Sequence, residues 1–180
     1  MYTVNCIDRL KRVADSVLLI GCLLFSAASF SAAQSDRQLP MTVEADTAEL
    51  NERSGVSTYK GNVVVVQGSL TMKAERMVLQ SKNNKLVRMT GTGKPATYKQ
   101  VDSSTGEPVY GEADKIVYLP GKNQLILTGK ASLLKNDNTF KSERIVYNTV
   151  NEYVSAGSKE GGKRVKIVIQ PVEDKKVVTP

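Results

Sequence analysis

The residues best suited to chemistry in this chain are four recurring acids, Asp46, Glu75, Asp114 and Glu143. Paired carboxylates hydrolyse glycosidic bonds, so a carbohydrate-active protein is one interpretation. Each acid, however, follows a small residue and precedes a glycine by 14 to 16 positions. Because the acids occupy equivalent points of a repeat, we interpret them as structural residues that satisfy turn amides or pair with neighbouring arginines.

Other groups that could catalyse a reaction are scarce. The chain has no His and no Trp, and its two cysteines, Cys6 and Cys22, both precede residue 34. After residue 33 the sequence therefore excludes thiol and imidazole nucleophiles, as well as zinc sites built from Cys or His. We predict no catalytic residue, no metal site and no cofactor, and we expect a protein that is not an enzyme.

The basic residues point only weakly to a partner. Lys159, Lys163, Arg164 and Lys166 could contact phosphate, and the net charge of +7 favours anionic partners. A solvated strand face explains the same cluster equally well. Nucleic-acid binding is not expected, because aromatic residues do not interleave with these cations.

A repeated strand–turn–strand unit positions the acids. It is clearest in residues 113–131, where the apolar runs Ile116–Tyr118 and Leu125–Leu127 flank the turn Pro120–Asn123. Shifting residues 44–78 by 68 positions gives nine identities over 35 positions, so the unit recurs at larger scale. The repeat predicts a stack of hairpins, each burying its apolar face against its neighbours.

Residues 1–33 are predicted to be a cleaved signal peptide. A basic segment at 9–12 precedes apolar residues 16–30, and residues 31–33 are small enough for cleavage. Fifteen residues fall short of the roughly 20 that span a bilayer. A lipoprotein attached at Cys22 is an alternative, although the residues after Cys22 are apolar where a tether is usually polar.

The remaining chain is predicted to form one domain. We assign residues 34–39 to a polar lead, 40–170 to the domain and 171–180 to a tail predicted to be disordered. No segment after residue 33 shows a convincing helical period, whereas strand signals recur about every 8–12 residues. This pattern predicts an all-β fold, and the absence of cysteine leaves its stability to the sheet.

Alternating apolar residues define a predicted interior that contains several methionines and few large aromatic side chains. A dry core explains many of them, but an open-ended sandwich with this lining could also hold acyl chains. The predicted lipid-binding interior consists of Met41, Val43, Tyr59, Val63, Val65, Leu70, Met72, Val87, Met89, Tyr98, Leu125, Leu127, Leu133, Phe140, Ile145 and Tyr147.

The first and last strands are predicted to be open edges that add strands of other copies. Because the two edges differ in sequence, their contact would be heterologous and would grow a head-to-tail chain. These edges consist of Met41, Thr42, Val43, Glu44, Val165, Lys166, Ile167, Val168 and Ile169.

An ordered set of short segments resembles the OstA-like family of periplasmic lipopolysaccharide-transport proteins. The segments are Met41–Asp46, Tyr59–Val63, Gly93–Tyr98, Leu127–Ala131 and Gly162–Val165, and the resemblance covers about residues 40–170. It implies an elongated, twisted, open antiparallel β-jellyroll in the periplasm. It also implies that Met41, Val43 and Tyr98 line the lipid path.

The resemblance further implies partners. They are lipopolysaccharide, other copies of the chain, an inner-membrane LptC-like protein and an outer-membrane LptD-like protein. Acyl chains would be sheltered in the apolar groove while lipopolysaccharide moves from the inner to the outer membrane. A structural β-filament of the envelope without lipid binding is the alternative that the residues leave open.

Overall fold

A computed structural model of the protein describes residues 36–102, 105–157 and 164–171. The predicted signal peptide, residues 34–35 of the polar lead, Lys159, Lys163 and residues 172–180 of the tail lie outside the described residues.

The described chain consists of antiparallel β-strands joined by tight turns. Two short 3-10 helices, Asp36–Gln38 and Pro120–Lys122, accompany the strands. The strands are β1 Met41–Glu44, β2 Thr47–Asn51, β3 Val56–Gln67, β4 Leu70–Lys82, β5 Lys85–Val101, β6 Pro108–Leu119, β7 Gln124–Lys135, β8 Asn138–Asn148, β9 Val154–Ala156 and β10 Lys166–Val168.

All ten strands belong to one open antiparallel sheet. Its order is β1-β3-β4-β5-β6-β7-β8-β10, while β2 also pairs with β3 and β9 also pairs with β8. From β3 to β8 each strand lies beside the next one in sequence, and two-residue turns connect β3 with β4, β4 with β5, and β7 with β8. The predicted all-β, open antiparallel jellyroll of repeated hairpins is confirmed.

A line of register shifts crosses the six long strands near their middles. The β3–β4 register shifts between Lys60 and Val63, and similar shifts follow in each later pair as far as β7–β8. Such bulges bend a strand and reverse which of its residues face inward. We call this line the bend line.

The bend line divides the sheet into two half-sheets. The first contains β1, β10 and residues 63–67, 70–74, 96–101, 108–113, 131–135 and 138–142. The second contains β2, β9 and residues 56–60, 76–82, 85–92, 115–119, 124–128 and 144–148.

The inner faces of the half-sheets pack against each other. Tyr98 of the first lies with its ring centroid 6.2 Å from that of Tyr118 in the second. A Cβ added to Gly91 of the second would lie 3.3 Å from Cβ of Ala74 in the first. The hydrophobic core therefore occupies the space between two faces that share the same six strands.

Two of the recurring acids, Asp46 and Asp114, lie against their glycines at the bend line. A Cβ added to Gly129, whose φ is +80°, would lie 2.5 Å from Oδ2 of Asp114. In the first repeat, the N–H of Asp46 donates to the carbonyl oxygen of Gly61 at 3.0 Å. Glycine is required at these points because it adopts positive φ and leaves room for the carboxylate.

Candidate functional site

The interior between the half-sheets is the candidate site, and it contains fifteen of the sixteen residues predicted to line it. Eleven of them are buried: Val63, Val65, Leu70, Met72, Met89, Tyr98, Leu125, Leu127, Leu133, Ile145 and Tyr147. Four partly buried ones pack against this core: Met41, Val43, Tyr59 and Phe140. The placement fits an apolar lining, and a lipid-binding role for it stays a prediction.

The prediction that Val87 faces the interior is wrong, because a bulge turns it outward. Gln80 pairs with Arg88 and Ser81 pairs with Leu86, which leaves Val87 without a partner in the register. The side chain of Val87 is 45% exposed, and Leu86 packs against the core instead.

Sequence reasoning missed part of the lining beyond the bend line. Met77 and Ile116 are fully buried, and Leu79 and Tyr118 are nearly so. Their alternation is offset by one residue from that of Leu70 and Met72, because the bulge changes the phase of the strand. The apolar runs Met77–Leu79 and Ile116–Tyr118 could have identified these residues if the inward-facing positions had been allowed to shift by one residue within a strand.

Small side chains complete the interior close to the bend line. Ala96, Ala113 and Ala131 are buried at equivalent points on successive strands, and Ala74 is nearly so. Where the strands bend, the two faces approach each other and leave little volume. The interior is therefore narrow near the bend line and has its large side chains farther away.

Tyrosine hydroxyls lie at the wide side of the interior, opposite the bend line. The hydroxyl of Tyr98 donates to Oε1 of Gln100, and that of Tyr147 donates to Oδ2 of Asp102 at 3.2 Å. Burial raises the pKa of Tyr98 well above its ordinary value. Burial, followed by the nearby Asp102 carboxylate, also raises the pKa of Tyr147. Both hydroxyls therefore stay protonated and act as hydrogen-bond donors.

The polar lead is anchored at this wide side. Oδ1 of Asp36 accepts from the N–H of Ser69 at 3.0 Å, and its Oδ2 accepts from Oγ of Ser69 at 2.5 Å and from Nε2 of Gln100 at 3.0 Å. Burial opposes ionisation of Asp36, but these donors outweigh it and lower the pKa of the carboxyl. The lead is thereby fixed to the first half-sheet.

Polar side chains connect the two half-sheets along the wide side, and we call this set of contacts the seam. Nη2 of Arg37, in the lead, donates to Oδ1 of Asn123 at 2.6 Å. Nζ of Lys135 lies 2.5 Å from Oε2 of Glu152 and 3.9 Å from Oδ2 of Asp102. The seam consists of Arg37, Asn123, Asp102, Lys135, Tyr147 and Glu152.

The four recurring acids do not form a catalytic pair at the candidate site. They lie along the bend line, Asp46 between β1 and β2 and the others on β4, β6 and β8, so a strand separates each from the next. Asp46, Glu75 and Asp114 are exposed. Nδ2 of Asn62 donates to Oδ2 of Asp46 at 3.1 Å, as expected of a structural acid. Within residues 36–102, 105–157 and 164–171, no three side chains of His, Cys, Asp or Glu are grouped so that they could hold a metal ion.

The predicted edge residues Met41–Glu44 form β1, whereas only Lys166–Val168 of the predicted last edge form β10, so the prediction of Val165 and Ile169 as strand residues is wrong. The two strands lie at the two edges of the first half-sheet. Among the described strands, β1 pairs with β3 alone and β10 pairs with β8 alone. The interior is less covered beside these edges: Leu50 on β2 is 66% exposed at one end, and Ile167 on β10 is 50% exposed at the other. Each end of the sheet thus presents apolar side chains and an edge strand.

Comparison with protein families gives a match over most of the described chain. Residues 42–153 match the model of the LptA/(LptD N-terminal domain) LPS transport protein family. In the part of the chain that the structure describes, no helix is both long and apolar enough to cross a bilayer.

Curated relatives and a solved structure are likewise proteins of lipopolysaccharide export or transport. The lipopolysaccharide export system protein LptH of Pseudomonas aeruginosa is 37% identical over 144 residues, which cover 76% of this chain and 82% of LptH. The lipopolysaccharide export system protein LptA of Escherichia coli K12 is 31% identical over 163 residues, covering 89% and 87%. The crystal structure of Pseudomonas aeruginosa LptH, described as a periplasmic component of the lipopolysaccharide transport device, superposes on this chain with a TM-score of 0.71. The two chains are 35% identical, and the match covers 77% of this chain and all of LptH in that structure.

Proposed function

Because the chain belongs to the LptA/LptD N-terminal domain family of lipopolysaccharide transport proteins, we propose that it binds lipopolysaccharide acyl chains between its half-sheets and carries them across the periplasm. The observation that supports this most directly is the continuous apolar interior. It runs from Met41 and Val43 at one edge to Phe140 and Ile167 at the other.

The energetics favour an apolar container over a charged surface. Burying one CH₂ group contributes about 0.8 kcal/mol, so an acyl chain of about 12 carbons gains on the order of 10 kcal/mol. A surface lysine near an anionic lipid contributes only about 1 kcal/mol. The interior therefore supplies most of the affinity, while charges orient the headgroup.

Assembly extends the proposal from one copy to a bridge. The apolar ends flanked by β1 and β10 are unlike each other, so an end-to-end contact would join unlike surfaces and continue the interior from copy to copy. We place an LptC-like protein of the inner membrane and an LptD-like protein of the outer membrane at the two ends of such a chain. The named relatives are transport proteins, and we propose that this chain likewise catalyses no reaction.

Site-specific photo-crosslinking tests the lipid path. A photoreactive residue at Phe140, which packs against the core, should give a lipopolysaccharide adduct in cells. The same residue at Lys141, the next position on β8 and exposed on the outer face, is the matched control and should give little adduct. Equal adducts from both positions, or none from Phe140, would contradict binding in the interior.

A further inference from the structure

The centre of the interior is shielded from water, although the proposed ligand has a large polar part. Met72, Met89, Leu127 and Ile145 each have 0% exposure. Lipopolysaccharide joins acyl chains to phosphates and sugars, and burying unpaired charged groups in an apolar interior is strongly unfavourable. The acyl chains can enter this space only if the headgroup stays outside it.

Movement of the acyl chains along the interior therefore requires a lengthwise opening, here called the slot, through which the headgroup projects. The path from one edge strand to the other contains eight strands and therefore seven inter-strand steps, so at about 4.8 Å per step the interior extends over about 34 Å. A headgroup that remains outside while the chains move this distance must pass every strand of the wall. An opening at the two ends alone does not allow that movement.

The bend line cannot provide the slot. Six strands, β3 to β8, run through it without interruption, so every one of them joins the half-sheets there by covalent bonds. Opening this side would require breaking strands and their ladder hydrogen bonds.

The seam differs because side chains alone join the half-sheets there. Among the described residues, no backbone hydrogen bond connects the first half-sheet to the second at this side. The contacts across this side include those of Arg37 with Asn123, Tyr147 with Asp102, and Lys135 with Glu152. Lys135 also pairs with Asp102 within the first half-sheet. Lys135 is only 7% exposed, so its carboxylate partners are what make its burial tolerable.

We propose that the seam is a lateral gate, which opens by bending at the bend line and admits acyl chains while the headgroup stays in solvent. This inference rests on the proposed function and adds the route of entry. Lys135 is the central residue of the gate, because it joins Asp102 of the first half-sheet to Glu152 beside the second. Polar contacts suit this role, since separated charges are rehydrated when the gate opens, whereas separated apolar side chains are not.

Locking the seam tests the gate. Lys135→Cys and Glu152→Cys are introduced together in a chain that also carries Cys6→Ser and Cys22→Ser, and the pair is bridged with a bifunctional methanethiosulfonate that dithiothreitol cleaves. The bridged protein should load lipopolysaccharide at least about tenfold more slowly than the same protein after cleavage. Circular dichroism should show the same fold in both forms.

A matched pair separates the gate from a general effect of bridging. Glu49 and Thr58 face each other directly on β2 and β3 within the second half-sheet. Bridging cysteines at these two positions should leave the loading rate unchanged. A second variant, Glu152→Gln, weakens the seam without a bridge and should speed loading.

The outcomes distinguish the gate from the proposed function. If the bridged seam loads as fast as the cleaved form, the gate is wrong while binding stands. If the Glu49–Thr58 bridge slows loading as much as the seam bridge, the gate is also wrong. If neither form nor the unmodified protein binds lipopolysaccharide, the proposed function fails, and the gate fails with it.

Discussion

Asp36 shows how one carboxylate holds a segment that lies outside the sheet. Its oxygens accept hydrogen bonds from the N–H and Oγ of Ser69 and from Nε2 of Gln100. Since the next residue, Arg37, contacts Asn123 of the second half-sheet, Asp36 also positions one contact of the seam. A single ionised group in the lead thus affects both half-sheets.

The lowered pKa of Asp36 predicts how stability depends on pH. The folded state favours the ionised carboxylate, so its contribution is complete above the ordinary carboxyl pKa of 3.8 and is lost as pH falls through the lower pKa of the folded state. At neutral pH, Asp36→Asn should reduce the free energy of unfolding by about 1 kcal/mol, allowing for solvent screening. Urea titrations at several pH values measure this difference, which should shrink below about pH 4.

Asp137→Asn is the matched control for this measurement. Asp137 is an exposed acid on the β7–β8 turn, with positive φ that asparagine also adopts. Its replacement should change stability little at any of these pH values. A loss for Asp36→Asn that persists undiminished at low pH would show that ionisation of Asp36 is not the source of its effect.

At the scale of the strands, two points of the bend line depend on a glycine that lies against an acid. Gly129→Ala would place a Cβ 2.5 Å from Oδ2 of Asp114 at a φ of +80°. We expect it to lower the free energy of unfolding by about 1–3 kcal/mol, because the backbone conformation and the contact are both unfavourable for alanine. Chemical denaturation followed by circular dichroism measures the change.

Gly121→Ala provides the comparison within the same hairpin unit. Gly121 is exposed in the turn after β6, and an added Cβ there meets nothing within 4 Å. The expected change is within about 0.5 kcal/mol. If the two substitutions had equal effects, the acid–glycine contact would not be what determines the bend.

The sequence predicted the strands well where turns and repeats mark them. The bounds of β1 and the reversal at Pro120–Lys122 agree with the structure, because proline, glycine and the internal repeat mark these positions. The short strand β9 was not predicted, since three residues are too few to show alternation.

The candidate site was predicted in part on both sides of the bulges. On β4, alternation identified Leu70 and Met72 but not Met77, because a bulge shifts the inward phase by one residue and a single alternation does not follow that shift. Val87 was misplaced for the same reason. The seam was not predicted either, since Lys135 and Glu152 come together only when the two half-sheets fold over each other.

At the scale of the whole molecule, the two unlike ends predict open, concentration-dependent assembly. Truncation after Gly162 removes β10 and should leave a monomer that still binds lipopolysaccharide. Leu50→Asp places a charge on the exposed apolar residue of β2 and should block the opposite end. Each variant alone should sediment as a monomer.

Mixing the two variants tests that unlike ends meet. The Leu50→Asp chain keeps its C-terminal edge and the truncated chain keeps its N-terminal edge, so the mixture should form dimers and nothing larger. Sedimentation velocity distinguishes these species. If the truncated chain oligomerises as the full chain does, β10 is not the joint and the end-to-end arrangement is wrong.

The sequential strand order also has a consequence for how the protein folds. Because β3 to β8 each lie beside their neighbours in sequence, most backbone pairing is between residues close along the chain, and no distant segment must arrive first. Topologies with such local contacts have low contact order and fold quickly for β-proteins. Stability is then close to a sum over neighbouring hairpins, so either terminal strand can fray while the central strands remain paired. The ends proposed to meet other copies are therefore the parts of the sheet that can rearrange at least cost.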